Sequence, residues 1–247
     1  MADAVTRIAR AYPDRVEVRG RDLTRELMGR LTFTEYFHLL LTGEEPTEEQ
    51  RFFLDLLLVA IAEHGLMPTN VAARMTLAAD PDSVQGAVAA GILGAGPVVL
   101  GTAGECARWL EVADDPREWV RGRRAAGARV PGFGHPVHRP VDPRAERILE
   151  LADERGVSGA HVTRARAARD AVAEIWDKPL TMNVSLAIAA VMLDLGFSTH
   201  AVEALPILAR TASLLAHLAE EDERPIGLLL AAKAEEAVDY EPPDARA

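Results

Sequence analysis

The chain is poor in cysteine: Cys106 is the only one among 247 residues. No internal disulfide can form, and the thiol reads as a small buried hydrophobe in a chain suited to a reducing compartment. Positive charge is in deficit too, with 27 Lys+Arg against 38 Asp+Glu and a net charge of −11. That balance argues against nucleic acid or an anionic membrane surface as the main partner. Apolar stretches such as 56–62 are far too short to span a bilayer. The opening Met1-Ala2-Asp3-Ala4-Val5-Thr6-Arg7 has no apolar signal core and carries an early acid. These absences lead to the expectation of a cytoplasmic protein that engages neither membrane nor nucleic acid. Strand signals are missing as well: there is no Asn-Gly hairpin turn, no sustained alternation and no internal repeat.

Hydrophobic residues make up 49% of the chain and charged residues 26%. A packed core is therefore expected, as one large domain or as a large and a small one sharing a cleft. Only the end, 241–247, reads as a frayed tail. Thr32-Phe33-Thr34-Glu35 and Thr47-Glu48-Glu49-Gln50 are capping boxes. The first opens a helix that should stop at Gly43; the second opens one with Phe52, Phe53, Leu56, Leu57 and Ala60 on its apolar side. Further helices are predicted from near Asn70, from Asp82 or Ser83, and from Asp142-Pro143, which pairs an N-cap acid with proline at the first helical position. The last of these ends at Gly156. Others cover 158–176, 183–195 up to Gly196, and Ser198 or Thr199 to about Ala219.

The long irregular segment 127–141 is rich in glycine and proline, and in a helical protein such a loop is the first place to look for function. From 130 it reads Val130-Pro131-Gly132-Phe133-Gly134-His135-Pro136-Val137-His138-Arg139-Pro140-Val141-Asp142-Pro143-Arg144. Gly132 and Gly134 are expected to let the backbone approach a ligand closely. His135 can donate to that ligand or exchange protons with it. Arg144 falls in the first turn of the next helix, where free N–H groups also favour an anion. Residues 117–147 hold eight arginines against three acids, Glu118, Asp142 and Glu146. This is either a solvated helical face or a field for a phosphate-bearing ligand. His135 and His138 have a spacing a metal could use, but no third ligand lies in a foreseeable position, so no metal is expected.

The whole string resembles the signature of citrate synthases, Pro-Gly-(aromatic)-Gly-His-x-Val-x-(Arg/Lys)-x-x-Asp-Pro-Arg. The resemblance extends along nearly the whole chain. Arg19-Gly20-Arg21-Asp22-Leu23, Leu31-Thr32-Phe33-Thr34-Glu35 and Leu39-Leu40-Leu41-Thr42-Gly43 look like the opening of the family's core. Glu63-His64-Gly65 looks like its Asp-His-Glu segment, and Gly94-Ala95-Gly96-Pro97 like the run before its first catalytic histidine. Ala209-Arg210-Thr211-Ala212 and Glu223-Arg224-Pro225 look like its Ser-Arg-Ala and Glu-Arg-Pro stretches. The chain is short beside a full synthase. It is more similar to small proteins resembling citryl-CoA lyase and to the C-terminal module of ATP-citrate lyase.

This resemblance implies an all-α, citrate synthase-like fold, with a large helical domain (1–104 and 190–247) and a small one (105–189) around a cleft, in a homodimer. It implies that His64, His135, Arg144, Arg210 and Arg224 hold a di- or tricarboxylate, Arg224 across the dimer interface. Guanidinium forks suit such a ligand because bidentate pairing orients as well as binds. Coenzyme A, as a thioester substrate and not a permanently bound cofactor, is expected along Val130, Pro131, Gly132, Phe133 and Gly134, with its phosphates at Arg139. Arg121, Arg123, Arg124 and Arg129 would add field. Two positions depart from the family. Where synthases carry Leu-His-Gly this chain has Val98-Val99-Leu100-Gly101, and where they carry Asn-Val-Asp it has Asn183-Val184-Ser185. Both losses fall on the carbon-acid half of the reaction. The leading expectation is a citryl-CoA lyase-like enzyme, with His135 or a water removing the hydroxyl proton, and Ser185 or a water held by Asn183 protonating the enolate. The alternatives are a synthase-type acyltransferase with an altered acyl-CoA or keto acid, and a non-catalytic protein that binds citrate or CoA.

Overall fold

The computed structural model describes residues 4–176 and 180–242. Of the tail expected at 241–247, residues 243–247 lie outside the described residues. Both capping boxes form: Thr32 caps α1 (Phe33–Thr42) and Thr47 caps α2 (Glu48–Ala62), with Glu35 and Gln50 bonding back. α1 stops at Gly43, left-handed at φ 90°. α3 (Pro68–Ala79) starts just ahead of Asn70, and α4 (Val84–Leu93) follows Ser83. α5 (Thr102–Val112) and α6 (Pro116–Ala125) come next. Asp142 and Pro143 open α7 (Pro143–Glu154) as expected. α8 (Ala160–Ile175), α9 (Val184–Asp194), α10 (Thr199–Glu223) and α11 (Gly227–Glu236) complete the helices.

The fold is mostly helical and departs from expectation at one end. Three short strands, β1 (Ala9–Ala11), β2 (Val16–Val18) and β3 (Arg21–Asp22), form an antiparallel sheet in which Ala9 faces Val18 and Glu17 faces Asp22. Strands of two or three residues are too short for alternation to register in a sequence, and Val18 alone among their residues is buried. A π turn, Leu23–Leu27, follows. Val18, Leu27 and Leu39 close a small cluster beneath it.

The core is centred on α9, whose residues 186–193 are all buried. α9 packs against α5, α7, α8 and α10. The main apolar cluster runs through Phe53 and Leu57 of α2, Leu110 of α5, Ile148 of α7, Val172 of α8 and Leu205 of α10. A second cluster joins α3, α4 and α10 through Ala73, Leu77, Ala87, Leu214 and Leu218. α10 is long and apolar enough, by length and composition, to cross a bilayer. Half of that window is nevertheless buried inside the protein, and the helix carries the buried Arg210.

Candidate active site

The loop ahead of α7 is knitted to the segment that opens α9. Gly134 N–H donates to the Thr181 carbonyl at 2.7 Å, and Asn183 N–H to the Gly132 carbonyl at 2.9 Å. The Thr181 hydroxyl is shared between the carbonyls of His138 and Pro140, at 3.2 and 3.0 Å. Asn183 is engaged in the same task. Its Oδ1 accepts from Ser185 N–H and its Nδ2 donates to the Gly134 carbonyl, both at 3.1 Å. It is thus a helix cap and loop anchor that also lines the pocket. Gly132 differs from expectation. At φ 90°, an added Cβ would lie 2.7 Å from Leu186 Cβ and 2.9 Å from Cys106 Sγ, so this glycine packs the loop onto α5 and α9, and it lines neither cavity of the site. Gly134, at φ 93°, has open space beside it and lines the pocket. Cys106 is fully buried, and burial pushes its thiol pKa up, away from reactivity.

These elements bound a cavity of about 380 Å³. Its lining includes the polar His64, His135, Arg144, Arg210 and Ser185 and the apolar Ile61, Met67, Val98, Val99 and Leu100. No carboxylate lines it among the described residues. Leu100 sits at φ 66°, a left-handed conformation that costs an L residue roughly 1–2 kcal/mol, in the segment around Val99 and Leu100 where the resemblance puts a histidine.

Each guanidinium has its acid behind it. Arg144 pairs with the wholly buried Asp142 through Nε at 3.0 Å and Nη2 at 2.9 Å. Burial works to raise the Asp142 pKa, but hydrogen bonds and charge from Arg144, together with backbone N–H groups of Arg144 and Val184, hold it below the usual carboxylate range. Arg210 is 2% exposed; its Nη1 donates to Asn70 Oδ1 at 2.7 Å, and its buried Nε has no partner. Asn70 and Ser213 both reach on to Glu63. Burial draws the Arg210 pKa down, opposed by the charge of Glu63, and an arginine stays cationic through such a shift.

His64 and His135 meet as the resemblance implies, and the structure adds His138 to them. His64, His135 and His138 bring their ring nitrogens within 4.8 Å of one another, which is a metal-like grouping. Its hydrogen bonding opposes a metal. His135 Nδ1 accepts from the N–H groups of Val137 at 3.1 Å and His138 at 2.8 Å. The proton of the neutral ring is therefore on Nε2, which makes that nitrogen a donor and not a ligand atom. Arg144 Nη2, another donor, lies 3.4 Å from His135 Nε2, so an anionic oxygen between them would satisfy both. Burial is the main cause that lowers the pKa of His64 and His135; Arg144 and His138 add to it at both rings.

Val130 and Phe133, on the same loop, line a second cavity of about 320 Å³ with Arg124, Arg129, Trp176 and Leu180. Sequence reasoning did not single out Trp176, whose ring stands 5.2 Å from Arg124 Cζ. Part of the basic run is an ordinary solvated face, since Arg117 pairs with Glu174 and Arg121 with Glu118. Arg139 is exposed and lines neither cavity, and neither does the exposed Arg224.

The family profile for the C-terminal domain of citrate synthase matches residues 1–227. A citryl-CoA lyase from Hydrogenobacter thermophilus superposes with a TM-score of 0.86 at 27% identity, covering 99% of this chain and 96% of that one. An ATP citrate lyase from Methanothrix soehngenii, solved with citrate and coenzyme A, gives 0.80 at 18% identity over 99% of this chain and 42% of that one, a likeness of fold alone. The citrate synthase of Haloferax volcanii is 28% identical over 219 residues, 85% of this chain and 57% of the relative. The chain spans about half the length of the curated relatives it matches. With the profile matched over nearly the full length, the helical fold shared, and the histidines and arginines of the signature gathered in one pocket, the chain belongs to the citrate synthase family.

Proposed function

We propose that the chain is a citryl-CoA lyase-like enzyme, cleaving or forming the carbon–carbon bond between an acetyl-CoA unit and oxaloacetate. The observation that carries this is the convergence of His64, His135, Arg144 and Arg210 on a pocket that no carboxylate lines among the described residues. A protein of net charge −11 thereby offers a cationic hollow to a ligand with several carboxylates. The Nε2–H of His135 and Nη2 of Arg144 aim two donors at one oxygen, which suits a carbinol oxygen becoming a carbonyl and stabilises the charge on it. The fold match over nearly the full length of a citryl-CoA lyase supports the reading.

The loop at 130–135 lines both cavities, Phe133 facing one and Gly134 the other. A CoA thioester would lie across it, its nucleotide end by Phe133, Trp176 and Arg129 and its acyl end by His135. Ser185 lines the pocket, and its hydroxyl bonds no described residue; it, or water beside it, returns a proton to the enolate. The pocket takes Ile61, Leu100 and Arg210 from the expected large domain and His135, Arg144 and Ser185 from the expected small one. Closure of 105–189 onto the rest would exclude water from the enolate.

Incubating the pure protein with citryl-CoA and following oxaloacetate tests the reading. Release is expected, and Arg210→Ala should abolish it. No release, with citrate still bound at micromolar concentration, would leave a binding protein. The apolar wall at Val98, Val99 and Leu100 favours one second reading, a synthase-type transferase that takes a bulkier acyl-CoA or keto acid. Thiol release from such an acyl-CoA in the presence of oxaloacetate would support it. In either enzyme Ser185→Asp should raise condensation, and no gain would count against Ser185 standing at the base position.

A further inference from the structure

The two arginines of the pocket differ in what faces them. Arg144 turns its side-on edge, Nε with Nη2, onto both oxygens of the buried Asp142 at 3.0 and 2.9 Å. Its charge is met before a ligand arrives. Arg210 makes no ion pair among the described residues. Its Nη1 donates to Oδ1 of Asn70 at 2.7 Å and to Ser213 Oγ at 3.5 Å, and its buried Nε has no partner. Asn70 stands in the first turn of α3 and is wholly buried. Glu63, the acid whose charge acts on Arg210, is reached through these same two side chains. Asn70 Nδ2 lies 3.4 Å from Glu63 Oε2, and the Ser213 hydroxyl donates to that oxygen. An arginine has donors alone and a carboxylate acceptors alone, so the amide of Asn70 can face the two in one way only.

Resting on the reading of this pocket as a polycarboxylate site, we infer that Asn70 is a positioning residue, a neutral spacer that holds the Arg210 guanidinium and keeps the Glu63 carboxylate off it, so that the positive charge is left for a carboxylate of the substrate. The other bonds of Glu63 draw its charge away. Its Oε1 accepts from His64 N–H at 2.8 Å and Gly65 N–H at 2.5 Å, and its Oε2 from Nε2 of His217 at 3.0 Å. His217 carries its proton there because its Nδ1 accepts from Nε of the buried Arg74 at 3.0 Å. The Glu63 side chain is also half exposed, and water screens what remains of its field. A buried carboxylate in direct contact would instead neutralise the guanidinium, and a ligand would have to displace it or bind without that attraction. The two arginines therefore differ in use. Arg144, aimed by Asp142, orients the ligand; Arg210, held by an amide, attracts it.

Calorimetry with citrate on the whole chain tests the spacer. Asn70→Asp keeps the shape of the side chain and its bond to Arg210 but sets a charge on that bond, so citrate should bind about 100-fold more weakly or worse. Asn70→Ala removes the bond and adds no charge, and should weaken binding about tenfold or less. A residue that only supports the structure gives the reverse order. Pairing Asn70→Asp with Glu63→Gln keeps the net charge and moves the carboxylate from one end of the bridge to the other, at the loss of the His217 bond. Citrate affinity should again fall about 100-fold, whereas Glu63→Gln alone should leave it within about threefold. Thermal unfolding checks that each variant is folded. An alanine variant weaker than the aspartate one, or a paired variant that binds as the wild type does, overturns the spacer while the carboxylate pocket stands. A gain of tenfold or more in Glu63→Gln does the same, even where Asn70→Asp fails to fold, because Glu63 would then already neutralise Arg210. Wild-type protein that neither binds citrate nor cleaves citryl-CoA overturns the pocket reading and the spacer with it.

Discussion

Asp142 has the most demanding residue-level position in the site. Wholly buried, it accepts from Arg144 N–H, Nε and Nη2 and from Val184 N–H, at 3.1, 3.0, 2.9 and 3.0 Å. It therefore caps α7, ties it to α9 and aims Arg144 at once. Asp142→Asn removes the charge opposite a largely buried guanidinium, and unfolding in urea should show a loss of about 3 kcal/mol. The sign with pH follows from its lowered pKa. Its stabilisation is complete above the unfolded value near about 4 and is lost as pH falls through the lower folded value. The Asn variant should lack that part of the acid loss. The two pocket histidines behave differently. His64 and His135 lie below the ordinary range, chiefly through burial, so they are neutral at pH 7. A polycarboxylate bound beside His64 favours its protonated ring, whereas His135, whose Nδ1 faces two N–H donors, resists a second proton; citrate binding should therefore take up protons at His64 and tighten as pH falls from about 7 to 6. Calorimetry in two buffers of different ionisation enthalpy measures the uptake, and none would mean that the anion does not sit beside His64.

At the scale of elements, what the sequence revealed was local and what it concealed was assembled from distant parts. Capping boxes at Thr32 and Thr47 and the Asp142-Pro143 start are complete within four residues, and all three helices begin where those signals stand. Asp115-Pro116 carries the same start signal for α6 and was not read. α5 has no side-chain cap at Gly101 to be read. His138 enters the site by meeting His64, 74 residues away, on a loop that Thr181, distant from both in sequence, holds through the His138 and Pro140 carbonyls. Neighbouring residues do not encode such a pairing. The two loop glycines separate local strain from packing. Gly132→Ala adds a Cβ against Leu186 and Cys106 on top of a left-handed φ and should destabilise by about 3 kcal/mol. Gly134→Ala meets the φ strain alone, with open space around it, and should destabilise by about 1 kcal/mol. Thermal unfolding of the pair would show it; equal losses would mean that the loop does not rest on α9 as described.

At the scale of the whole molecule, Arg224 cannot serve the pocket of its own chain. It caps α10 fourteen residues after Arg210, a separation of about 21 Å along a helix axis, which is well beyond the reach of an arginine side chain. It is exposed and lines neither of the two cavities at the site. If it binds carboxylate, as the family resemblance implies, the pocket it completes belongs to a second copy, and each site of a dimer is built from two chains. Arg210→Ala and Arg224→Ala would then each abolish citryl-CoA cleavage alone, yet a mixed dimer would hold one site with both arginines intact. Random assembly from equal amounts of the two co-expressed variants should recover about a quarter of wild-type activity, and a purified, doubly tagged heterodimer about half. Full activity of Arg224→Ala alone, or no recovery in a heterodimer shown to be intact, would mean that this arginine serves no neighbouring pocket and that one chain supplies every cation its ligand meets.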